Sequence, residues 1–128
     1  MKGDDLAERL MELAVRVLAV VDALPRTLAS RHIANQLARS GTSAGANYEE
    51  ARGAESRADF AHKLGIAWKE SRETLYWLKI IQRRELIKPK LLDPLIQEAT
   101  ELSSILAKSV STTKKGKQPG NRETENEK

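Results

Sequence analysis

The chain has 128 residues and a formal net charge of +4; it is 40% hydrophobic and 31% charged, the make-up of one modest folded domain rather than of a wholly disordered chain. It contains no cysteine, which excludes a disulfide framework, a thiolate metal site and a cysteine nucleophile. Two tryptophans, two tyrosines and one phenylalanine leave little material for a base-stacking platform.

The opening Met-Lys-Gly-Asp-Asp leads into a segment interrupted by Glu8, Arg9, Glu12 and Arg16. A secretory signal would have an unbroken apolar stretch there, and no apolar run approaches the ~20 residues that cross a bilayer. The expectation is a soluble, cytoplasmic protein without a membrane partner. The first predicted helix runs from Asp4 or Asp5 to Leu24, with Leu6, Leu10, Leu13, Val17, Val20, Val21 and Leu24 on one stripe and Pro25 ending it.

The second predicted helix spans about Ser30 to Arg52, with Ile33, Leu37, Gly41, Ala44, Tyr48 and Ala51 on one face. Its small residues include Gly41 and Gly45, each of which costs a helix about 1 kcal/mol relative to alanine. Close approach to a neighbouring helix is the expected compensation, and a break near Gly41–Gly45 is the alternative. The third starts at Ser56, where Ser-Arg-Ala-Asp resembles a capping box, and runs to about Arg84. Phe60, Leu64, Ala67, Ser71, Leu75, Leu78 and Gln82 are expected to face the core, with Trp68 beside them. The fourth begins between Pro89 and Pro94, with Asp93-Pro94 a candidate cap pair, and buries Leu92, Leu95, Ile96, Ala99, Leu102 and Leu106.

Residues 109–128 hold no apolar side chain except Val110. They are expected to be a disordered tail, or a partial extension of the last helix. The division is therefore a folded domain over 1–108 and a polar tail over 109–128. Nothing alternates with period two, so the fold class is all-α. Short connections between amphipathic helices predict an antiparallel up-down-up-down four-helix bundle.

With that phase for the third helix, Ile66, Trp77 and Ile80 fall opposite the core, near Glu70 and Glu73. These five residues form a candidate oligomer interface, since aligned large apolar residues on an outer face call for a cover; the alternatives are that they belong to the core on a differently phased wheel, or that they bind a ligand. Lys69, Arg72, Lys79 and Arg83 form a second stripe around Tyr76. Four cations on one flank suit phosphates, and Arg52 and Arg57 near the second connection could add to the field. The plain alternative is a solvated flank with local ion pairs.

Catalysis finds little support. His32 and His62 stand apart, a di-iron bundle would need two Glu-x-x-His motifs, and no HExxH, phosphate loop or dinucleotide fingerprint occurs. Ser40, Ser43 and Asn47 lie a turn apart and read as packing plus hydrogen bonds across the bundle. No metal and no cofactor is expected.

Three blocks occur in order: Ser40-x-x-Ser43-x-x-x-Asn47-x-x-Glu50, Ser56-x-x-Asp59-Phe60, and Ala67-x-Lys69-Glu70-Ser71-x-Glu73-Thr74-x-Tyr76-Trp77-Leu78. In these the chain resembles the four-helix bundle proteins of the 23S rRNA intervening-sequence (S23-type) family. The resemblance implies an antiparallel bundle, a homo-oligomer with a pentameric ring favoured, a bacterial source and no catalytic activity. A related branch comprises the accessory proteins of diversity-generating retroelements, which work with a reverse transcriptase and nucleic acid. The functional expectation is a non-catalytic homo-oligomer that binds RNA or DNA through basic helix surfaces. The alternative is an adaptor for another protein, for example a reverse transcriptase.

Overall fold

A computed structural model describes residues 3–117, all but the connections helical: α1 (Gly3–Ala23), α2 (Leu28–Arg52), α3 (Arg57–Arg83) and α4 (Pro89–Lys117). Each helix touches two neighbours. α1 packs on α2 and α4, α3 packs on α2 and α4, and the diagonal pairs do not meet. The result is a four-sided bundle around a core of leucines, led by Leu10, Leu13, Leu37, Leu64, Leu78, Leu92, Leu95, Leu102 and Leu106, each under 2% exposed. Among the described residues there is no strand.

The helix boundaries follow local chemistry. Thr27 caps α2, its side chain accepting the Ser30 amide at 3.1 Å, and Ser56 caps α3 by accepting the Asp59 amide at 3.0 Å. α2 therefore starts two residues before the expected Ser30. The Lys88 carbonyl accepts the amides of Leu91 and Leu92, so α4 begins at Pro89 and Pro94 lies inside it. Asp93 does not cap the helix. α3 ends in a Schellman turn: the Leu86 amide bonds the Ile81 carbonyl at 3.1 Å while Glu85 takes φ of 55°, a conformation that glycine usually supplies.

α2 is one continuous helix through Gly41 and Gly45, and the reason for the glycines is visible. A Cβ placed on Gly41 would sit 2.6 Å from Val17 Cγ1, and one on Gly45 would sit 3.3 Å from Leu10 Cβ. The glycines let α1 lie close against α2.

The helical domain is longer than 1–108, in line with the expected alternative of a partial helical extension: α4 continues nine residues beyond Lys108 to Lys117, and Val110 is buried in the core. The expectation for 118–128 lies outside the described residues. The phase of α3 also differs. Its buried residues are Leu64, Ala67, Glu70, Ser71, Thr74, Leu78 and Ile81, whereas Gln82 is exposed and Phe60 and Leu75 are half-buried. α3 has two neighbours to satisfy. Its inward arc includes Glu70 and Thr74 because α2 presents polar partners to them, so an apolar count alone rotates the wheel.

Candidate nucleic-acid interface

Lys69, Arg72, Tyr76, Lys79 and Arg83 are all exposed. Their steps of three and four residues keep them within roughly 80° of the α3 circumference, over a length of about 21 Å. Tyr76 stands 59% exposed among the cations, its ring edge-on to Trp77 at 5.1 Å. The Arg72 guanidinium lies 5.2 Å from the centre of the Trp68 ring, a cation–π contact that holds the arginine along the surface while leaving its donors outward. A shallow groove of about 490 Å³ runs beside the stripe, with Ser103 of α4 on its far wall.

These cations differ from Arg9, Arg39, Arg52 and Lys63, which bind carboxylates across the helix seams. Arg9 of α1 grips Glu98 at 2.7 Å and Glu101 at 3.0 Å on α4. Arg39 of α2 bonds Glu70 at 2.9 Å and also Glu73, both on α3. Arg52 is paired with Asp4 and with Glu49, and Lys63 with Glu50 at 2.6 Å. Among the described residues, no salt bridge engages Lys69, Arg72, Lys79 or Arg83. Coulombic influence does reach Glu73 from Lys69, as a minor contribution.

The paired carboxylates register their partners. Glu98 is held below the usual carboxylate range chiefly by the hydrogen bond from Arg9, against the opposing effect of burial. Glu73 is also held low, first by the Trp77 indole N–H, which donates to it at 3.0 Å, and then by Arg39.

Arg52 and Arg57 do not join the stripe. Arg57 opens α3 about 18 Å before Lys69 along the helix axis, and Arg52 is tied at the end of α2 to the start of α1. The expected interface set is likewise redistributed. Glu70 is 8% exposed and paired with Arg39. Glu73 and Ile66 are half-buried. Trp77 and Ile80 are partly buried against the core, the Trp77 ring also meeting the His32 ring edge-on at 5.6 Å. Instead of lying opposite the core, Trp77 flanks it on the α2 side.

Of Ser40, Ser43 and Asn47, Ser40 is bonded across the bundle as expected, whereas Ser43 and Asn47 are bonded to each other within α2. The Thr74 hydroxyl lies 3.1 Å from Ser40 Oγ across the α2–α3 seam, and the Asn47 amide donates to Ser43 Oγ at 2.9 Å. Among the described residues, no three histidine or acidic side chains gather as metal ligands, and no helix is long and apolar enough to cross a membrane.

Sequence reasoning missed one surface. Met11, Val15 and Leu18 of α1 are 59, 56 and 42% exposed. Their i, i+4, i+7 spacing was a readable signal, masked by the richer leucine and valine stripe that fills the core from the same helix.

Comparison with known proteins places these features in context. The family model described as 23S rRNA-intervening sequence protein matches residues 5–108. A crystal structure of a protein with unknown function from the S23 ribosomal protein family of Bacteroides thetaiotaomicron VPI-5482 is similar, with 37% identity and a TM-score of 0.78, over 87% of this chain and 99% of that one. No curated protein matches.

Proposed function

Given that the chain belongs to the 23S rRNA-intervening sequence protein family, we propose that it is a non-catalytic nucleic-acid-binding protein that holds a sugar–phosphate backbone along the outer face of α3. One observation carries the reading. Lys69, Arg72, Lys79 and Arg83 are aligned and exposed and, among the described residues, without a salt bridge, while Arg9, Arg39 and Arg52 at the helix seams are engaged by carboxylates. Cations not engaged by carboxylates are the ones that can replace condensed counterions on a polyanion. Their length of about 21 Å matches roughly six base steps at 3.4 Å each. Contacts of this kind fix position rather than read sequence, and Tyr76 adds a ring face for a sugar or base.

Filter retention of a short RNA duplex and a DNA duplex of equal length, across a salt series, tests the reading. Four phosphate contacts predict a log–log salt slope of about −3 to −4. The triple variant Lys69→Glu/Arg72→Glu/Lys79→Glu is expected to abolish retention. Unchanged retention by that variant would remove the α3 face from the function.

A further inference from the structure

The cations of the α3 stripe are unevenly spaced. Along the helix axis about 4.5 Å separates Lys69 from Arg72 and about 6 Å separates Lys79 from Arg83, but Arg72 and Lys79 stand about 10.5 Å apart. Tyr76 fills that gap. It is 59% exposed, its ring meets Trp77 edge-on at 5.1 Å, and it lines the same groove as both flanking cations. Glu73, the carboxylate that lines this groove, is occupied by Arg39 and by the Trp77 indole. The pattern is two cations, a ring and two cations. Phosphates of a stacked strand recur every ~3.4 Å, so about three would fall in the gap, opposite a side chain without charge. A strand that turns one base out of its stack places an aromatic plane there instead, with a phosphate on either side.

The cations also lie on one flank. Over the same length, the flank of α3 that faces α2 carries Ile66, Glu73, Trp77 and Ile80, all half-buried, and the Arg39 that α2 sends there is held by Glu70 and Glu73. A duplex presents two rows of phosphates, and this face has cations for one. Insertion into a DNA major groove is blocked by the neighbours of α3. The groove is about 12 Å wide and admits a single helix, whereas α2 and α4 pack against α3 on both sides, at the spacing of about 8–10 Å usual for packed helices. The major groove of an RNA duplex is closed even to side chains.

We infer that the α3 face selects single-stranded over duplex nucleic acid, laying one unpaired base against Tyr76 with its neighbouring phosphates on Arg72 and Lys79. The selection rests on the proposed function and deepens it: base pairing hides the group that the ring holds. A duplex keeps its base faces inside the stack and offers Tyr76 only sugar. Every base has a π face, so the ring distinguishes unpaired from paired strands rather than one base from another. Tyr76 is then the residue that sets specificity, and the four cations supply attraction to either form.

Fluorescence anisotropy on the full chain at one fixed salt concentration tests this. The probes are an end-labelled oligothymidylate, its duplex with oligoadenylate, an abasic strand of the same length, and oligouridylate. Wild type, Tyr76→Ala and Tyr76→Phe are compared; both variants alter an exposed position, and urea midpoints check that the fold is kept. Wild type is expected to bind oligothymidylate more tightly than the duplex, and about fivefold or more tightly than the abasic strand, the effect of one stacked base. That preference over the abasic strand should disappear in Tyr76→Ala and persist in Tyr76→Phe, whose ring still stacks. Oligouridylate beside oligothymidylate assigns the favoured strand as RNA or DNA. Wild type that binds the duplex as tightly as the single strand, or the abasic strand as tightly as oligothymidylate, overturns the inference and leaves the proposed function standing. A preference over the abasic strand that survives in Tyr76→Ala overturns the role of the ring. Wild type that binds none of the probes overturns the proposed function, and the inference with it.

Discussion

α2 is held to its two neighbours by opposite means. Toward α1 its middle offers almost nothing: Gly41 and Gly45 leave room for Val17 and Leu10 to press against the helix itself, and polar contact is confined to its C-terminal end, where Arg52 meets Asp4 and Tyr48 reaches the Gly3 carbonyl. Toward α3 it offers polar reach: Arg39 extends to Glu70 and Glu73, and Ser40 meets Thr74 across the seam. The first seam is fixed by distance, so it responds to volume. The second is fixed by charge and hydrogen bonds, so it responds to pH and to the loss of a partner. The same contrast explains the outer stripe of α3. A cation becomes available to a ligand only where no seam requires it.

The sharpest break of the comparison is at Gly41. Gly41→Leu forces several atoms into space held by Val17, and overpacking of this kind is expected to cost about 3 kcal/mol or more in urea unfolding. Arg39→Ala comes next. It leaves Glu70 buried without its cation, a loss expected to cost about 2 kcal/mol, below the range for fully buried pairs because Arg39 itself is half exposed. If Arg39→Ala unfolds at the wild-type urea concentration, the polar knot contributes nothing to the seam.

The acid limb of stability separates the seams by another route. The folded-state pKa of Glu73 lies below the ordinary value, mainly because of the Trp77 N–H and then Arg39. A depressed carboxylate stabilises the fold fully above its unfolded pKa, and that contribution disappears as pH falls through the folded value. Urea midpoints should therefore drop as pH falls below about 5, toward the ordinary glutamate range and beyond it. Trp77→Phe removes the indole donor, and the part of this fall that belongs to Glu73 should shrink. A fall of the same size in Trp77→Phe would remove that hydrogen bond as a cause.

A smaller effect of opposite sign comes from Gly65. Its added Cβ would meet nothing within 4 Å, so Gly65→Ala in the interior of α3 should stabilise by roughly 0.5–1 kcal/mol through helix propensity alone. Set beside Gly41→Leu, it shows that a helical glycine is structural only where another helix rests on it.

How far the sequence foretold this depends on the kind of contact. The leucine stripes of α1 and α4 and the close approach at Gly41 and Gly45 were readable, since apolar periodicity and missing side chains report directly on packing. The phase of α3 was not. Glu70 and Thr74 look like surface residues in a one-dimensional pattern, and only Arg39 and Ser40, more than 30 positions upstream, make their burial tolerable. The basic stripe survived that error because it depends on the spacing of its own members. Trp77 did not, because its exposure was inferred from what lay opposite.

The smallest stability effect is expected where the functional effect is largest. Lys69, Arg72, Lys79 and Arg83 belong to neither seam of α2, and among the described residues none is in a salt bridge. Single reversals to glutamate should therefore leave the urea midpoint within about 0.5 kcal/mol of wild type. Arg72 is the informative member. Its reversal also loses the contact with Trp68, adding at most about 0.5–1 kcal/mol at an exposed site. If these cations serve a polyanion, each reversal removes about one unit from the salt slope of duplex retention. Reversals that instead destabilise the bundle by 2 kcal/mol or more would show that the stripe holds helices together, and the contrast between engaged and available cations would collapse.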